Sequence, residues 1–143
     1  MAEMKTRATG QPVAEYLATV ADEQMRKDCV AIRTMMEKAT KARAKMWGKI
    51  VGFGSRKLVY ADGRQVDWMV IAFAPRAKSI ALYLGPMKET YPKLKEALGK
   101  HTGGGTSCLH VKRLSDVHVP TLNKLIVAAA KEMGRKPLRP AKC

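Results

Sequence analysis

Lys100-His101-Thr102-Gly103-Gly104-Gly105-Thr106-Ser107 is the stretch whose residue types come nearest to a ligand site. Glycines let consecutive backbone N–H groups converge on an anion, and a flanking lysine adds charge, so Lys100, Gly103, Gly104 and Gly105 form a candidate phosphate cradle. The stretch lacks the G-x-x-x-x-G-K-[ST] order of a P-loop and leads into a strand rather than a helix; its alternative is a mobile connection. A second basic run, Lys41, Arg43 and Lys45, alternates with Ala42, Ala44 and Met46. If extended, it sets three positive charges on one side, a candidate strip for phosphate contacts. It carries no interleaved aromatic on which bases would stack, and its alternative is a solvated linker.

Cys108 and His110 stand at i, i+2 on an expected strand and offer two soft metal ligands, with His101 or His118 available to add a third. Two ligands do not make a site, and strand alternation places some such pair on every face. A Cys108–His101 nucleophile pair lacks an Asn or Asp to orient the imidazole, and a buried strand thiol is inert. Asp67 beside Trp68 suggests a carboxylate in an aromatic pocket with Trp47, Phe53 and Tyr60. The alternative is an Asp at the edge of a hairpin, paired across it to Arg56 or Arg64. No motif calls for a cofactor, a resident metal or a catalytic residue.

The chain that must position these groups has 143 residues and 46% hydrophobic content, suited to one domain with one core. We expect a flexible leader over 1–10, the domain over 11–133 and a basic tail over 134–143. Lys and Arg number 27 against 12 Asp and Glu, a formal charge of +15, which draws nucleic acid, phosphorylated metabolites or acidic lipid surfaces, and leaves room for a protein partner. Cys29, Cys108 and Cys143 are far apart with no C-x-x-C pair, which fits a reducing compartment. The polar first ten residues are no secretory signal, and no run approaches the roughly 18 to 20 apolar residues that cross a bilayer, so a cytoplasmic protein is expected.

Val13, Tyr16, Leu17 and Val20 repeat with helical spacing after Pro12, and a second helix from Asp22 to Ala39 buries Met25, Cys29, Ile32 and Met36. A turn is expected at Gly52-Phe53-Gly54. Strands follow at Lys57–Ala61, Gln65–Phe73 and Ser79–Leu84, the first two joined at Asp62-Gly63 by a two-residue connection and the second interior to the sheet. A short helix from Pro92 to Leu98 turns Leu94, Ala97 and Leu98 inward, with Gly99 left-handed behind it. A fourth strand covers Ser107–Lys112, and a last helix from Val119 to Met133 buries Leu122, Leu125, Ile126, Ala129 and Met133. The tail, with Arg135, Lys136, Arg139 and Lys142 among prolines, reads as extended. The fold class is α+β: an antiparallel sheet of about four strands with an N-terminal helix pair and a C-terminal helix packed on it.

Met46-Trp47-Gly48, Gly52-Phe53-Gly54, Asp67-Trp68, Phe73-Ala74-Pro75-Arg76, Leu98-Gly99-Lys100-His101, Ser107-Cys108-Leu109 and Lys112-Arg113-Leu114-Ser115-Asp116-Val117 occur in order between Gln11 and Met133. In these motifs the chain resembles the YdhG-like family, a bacterial domain of unknown function. The resemblance implies helices on an antiparallel sheet, in outline similar to frataxin, with no established enzymatic activity. It also implies the alternative of a frataxin-like iron chaperone, against which stands the absence of a carboxylate-rich surface on the first two helices. The function expected is a small cytosolic binding module, not an enzyme, whose basic surface meets an anionic ligand or macromolecule.

Overall fold

The structure, a computed structural model, describes residues 11–85, 87, 89–104 and 108–133, and gives only the backbone of 56, 58 and 66. The leader, the basic tail and Gly105 lie outside the described residues. Helix α1 (Val13–Ala18) follows Pro12, whose extended ψ makes it the residue before the helix rather than its first member. Val13 and Leu17 are buried, and Tyr16 donates from its hydroxyl to the Lys49 carbonyl at 3.0 Å, tying α1 to the sheet. Helix α2 (Glu23–Thr40) buries Met25, Cys29, Ile32 and Met36 on one stripe, as their spacing dictates. Asp28 lies on the same stripe. Only 5% exposed, it is satisfied by the Leu114 N–H at 3.1 Å and Gln24 Nε2 at 2.8 Å.

The sheet has six strands rather than four: β1 (Ala44–Trp47), β2 (Ile50–Phe53), β5 (Ile71–Pro75), β6 (Ile80–Tyr83), β8 (Leu109–Val111) and β7 (Thr102–Gly103), side by side in that order and antiparallel throughout. The missed pair β1–β2 contains most of the segment expected to be linker and turn. Its connection is Gly48-Lys49, with Gly48 at φ +65 and Lys49 not positive, the combination a type II′ hairpin takes. Gly52 is therefore a strand residue. A Cβ there would lie 2.6 Å from Trp47 Cδ1, so its bare backbone is what lets the Trp47 indole lie across β2.

The expected strand Gln65–Phe73 is two strands. Its first half, β4 (Gln65–Trp68), pairs only with β3 (Arg56–Val59) in a separate two-stranded sheet. Met69 and Val70 then carry the chain into β5, which lies between β2 and β6. The reason is packing: Met69 and Trp68 turn onto Trp47 and Ala72, so the hairpin covers the sheet face opposite the helices. The β3–β4 connection is also longer than two residues. Tyr60 N–H donates to the Arg64 carbonyl and Gly63 N–H to the Tyr60 carbonyl, both at 2.9 Å, closing a three-residue loop with Gly63 at φ +87.

Helix α4 spans Val119–Met133 as expected and buries Leu122, Leu125, Ile126, Ala129 and Met133. With α2 it covers one face of β5, over Phe53, Ile71, Phe73, Ile80 and Leu82. Helix α3 (Thr90–Leu98) starts two residues earlier than expected and buries Leu98, while Ala97 is exposed. The architecture is α+β with an antiparallel sheet. No helix among the described residues is long and apolar enough to cross a membrane.

Candidate functional site

The two basic stretches singled out in the sequence sit at opposite edges of the six-stranded sheet. Lys41 ends α2 in a left-handed conformation, φ 56, with its N–H on the Glu37 carbonyl at 2.8 Å. Arg43 precedes β1, and Lys45 lies in it opposite Gly52; all three bases are exposed. The chain is extended only from Ala44, so the three do not share one strand face.

At the other edge, where β6 begins, β8 ends and β7 pairs with it, three segments meet around a cavity of about 350 Å³. Lys78 and Ser79 reach it from the turn before β6, closed by the Arg76 N–H on the Ser79 carbonyl at 2.8 Å. Lys100 and His101 come from the α3–β7 loop, Thr102 from the start of β7, and His110 and Lys112 from β8 and its end. Register explains the convergence: Ile80 faces Val111, so Ser79 and Lys112 follow one step on, while His110 is flanked by Ala81 and Thr102. Asp116, from the 3-10 turn Leu114–Asp116, supplies the one acid, and its carbonyl accepts the Lys100 N–H at 3.1 Å. Lys78, Lys100 and Lys112 form no ion pair among the described residues, unlike Lys27, Arg33, Lys57 and Arg64.

Tyr91 holds the glycine stretch in place. Its hydroxyl donates to the Gly103 carbonyl at 3.0 Å and lies 2.8 Å from His101 Nε2, while His101 Nδ1 donates to the Gly99 carbonyl at 2.7 Å. Gly104, at φ +100, packs against the Tyr91 ring, and a Cβ there would come within 2.5 Å of Cε1. The Gly104 N–H donates to the Cys108 carbonyl at 3.2 Å. The described part of the stretch is thus a fastened turn, and the charge beside it comes from lysines rather than from that N–H. Gly99, expected left-handed, has φ 100 with ψ −150, outside that well, and bridges to Val117. Sequence reasoning found Lys100 here, and singled out His101 and His110 only as metal-ligand candidates, but missed Lys78 and Lys112; only strand register joins these residues, and no spacing rule relates residues on separate segments.

The aromatic pocket is not assembled. Trp47 and Trp68 do meet edge to face with centroids 6.0 Å apart, against Met69 and Ala72. Phe53 is on the other face of the sheet, stacked with Phe73 at 6.1 Å. Tyr60 lies at the hairpin tip under the Arg64 guanidinium, 4.5 Å from its ring. Asp67 is exposed and pairs with Lys57 at 2.7 Å rather than with an arginine.

For metal chemistry, no three His, Cys, Asp or Glu side chains converge among the described residues. Both ring nitrogens of His101 are engaged, and Cys108 is buried beside the sheet at 4% exposure, where a thiol is inert. Cys29 is fully buried and free; burial, helped by the neighbouring Asp28 carboxylate, pushes its thiol up to about 12. It behaves as a small apolar residue of the core. His118 Nδ1 lies 2.7 Å from Thr121 Oγ1 at the start of α4, a contact that secures the first turn of that helix. Compared with protein-family models, with curated proteins and with solved structures, the chain matches none.

Proposed function

We propose that this protein is a small, non-catalytic binding module of the cytosol, YdhG-like in kind, that holds an anionic ligand in the basic pocket at the β6–β8–β7 edge. The observation that carries the reading is the meeting of Lys78, Lys100 and Lys112, from three separate segments and without ion pairs among the described residues, around one cavity. Assembling three like charges costs Coulomb energy that a bound anion returns. The strip at Lys41, Arg43 and Lys45 belongs to the same reading as a weaker, open contact surface for nucleic acid.

Titration with inorganic phosphate, followed by amide chemical shifts, tests it. Saturable shifts centred on 78–79, 100–102 and 110–112 are expected. Shifts scattered over all surface lysines, or none, would remove the pocket as the site. Retention of stoichiometric iron after desalting would favour the iron-chaperone alternative instead.

A further inference from the structure

The pocket is more selective than a patch of lysines. Three ammonium groups less one carboxylate contribute a formal +2, which suits a dianionic phosphomonoester better than a chain of monoanionic diesters. Its volume, about 350 Å³, is near the lower end of the roughly 300–1,000 Å³ of small-molecule sites. Asp116 is the discordant group. An ionised carboxylate only accepts hydrogen bonds and repels phosphate, so its presence among the lysines is useful to a ligand that brings a donor of its own. His110 is half-buried beside Ala81 and Thr102, and its imidazole has no hydrogen-bond partner among the described residues, which leaves the ring available to the ligand. His101, with both nitrogens engaged, is wall rather than contact.

We propose that the pocket takes the phosphomonoester of a small polyhydroxylated molecule, its phosphate on Lys78, Lys100 and Lys112 and a neighbouring hydroxyl on Asp116. This rests on the anion-binding reading and adds the chemistry of the rest of the ligand. A hydroxyl bonded to a charged acceptor is worth enough to tighten binding about tenfold over phosphate alone.

The experiment is calorimetric titration of the full chain with inorganic phosphate, ribose 5-phosphate, ribose and a mixed-sequence DNA duplex. Ribose 5-phosphate should bind about tenfold more tightly than phosphate, and ribose alone should not bind. Asp116→Asn leaves the Asp116 carbonyl bond to Lys100 possible and removes the repulsion, so phosphate should bind it as well or better while the preference for ribose 5-phosphate shrinks. Lys100→Gln should weaken both phosphates together. Equal affinity for ribose 5-phosphate and phosphate, or an unchanged preference in Asp116→Asn, overturns this inference and leaves the anion reading standing. If neither phosphate binds, both fall. Duplex DNA displacing ribose 5-phosphate at lower concentration would also overturn it, in favour of a nucleic-acid surface.

Discussion

Lys100 is the basic residue on which the loop seen in the sequence and the pocket seen in the fold coincide. Its ammonium is one of three, so Lys100→Gln should weaken phosphate binding by roughly 0.5–1.5 kcal/mol, about two- to tenfold, with little change in thermal stability because an exposed lysine contributes little to folding. A parent and variant with the same isotherm would move the site elsewhere. Cys29 gives a second prediction at this scale. Its thiol stays neutral in the folded protein to about 12, whereas an unfolded thiol ionises near pH 8.5. The folded state therefore keeps its full advantage below about pH 8.5 and loses it as pH rises toward the folded value, because the unfolded chain sheds its proton first. Tyr16 is raised by burial, partly offset by Arg76, and acts with the same sign at the upper end. The decline in denaturant midpoint from about pH 8 to pH 10 should be smaller in Cys29→Ala than in the parent. Identical declines would mean that Cys29 ionises freely in the folded state.

At the scale of elements, β5 is the test of the layering, since Ile71 and Phe73 face the helices while Ala72 faces the hairpin. Ile71→Ala should cost roughly 2–5 kcal/mol in denaturant unfolding, because the cavity it opens lies in a close-packed layer. A loss well below that range would show that the helices can settle onto the gap. The α3–β7 loop is the corresponding test of the site. Tyr91→Phe removes the hydroxyl that bridges His101 and Gly103 but keeps the ring on Gly104, so amide exchange at 100–104 should speed up while the rest of the sheet keeps its protection. Unaltered exchange there would mean that the β7–β8 pairing holds the loop unaided. The same two elements show why Gln65–Phe73 reads as one strand in the sequence. The alternating Val66 and Trp68 run without a polar interruption into the apolar Met69, Val70 and Ile71, and only the packing of the hairpin onto Trp47 and Ala72 divides the stretch.

For the whole molecule, β1 and β7 are five strand spacings apart, roughly 24 Å, beyond the Debye length of about 8 Å at physiological salt. The strip and the pocket should therefore act independently. Replacing Lys41, Arg43 and Lys45 by Gln together should flatten the salt dependence of duplex DNA binding by up to about three units of slope and leave phosphate affinity unchanged. A change in phosphate affinity in that variant would couple the two edges. What the sequence by itself determined is what is local. Helical periodicity placed α2 and α4 with their buried residues, and the burial of Cys29 followed from its stripe. What only the tertiary structure decided is what depends on pairing between distant segments. The β1–β2 hairpin exists because Gly52 admits the Trp47 indole, and Asp28 on α2 meets the Leu114 N–H 86 residues away. The pocket itself exists because register sets Ser79 and Lys112 beside each other and Lys100 against Asp116. Periodicity reports how one segment meets a core, and a site built from three segments is written in none of them.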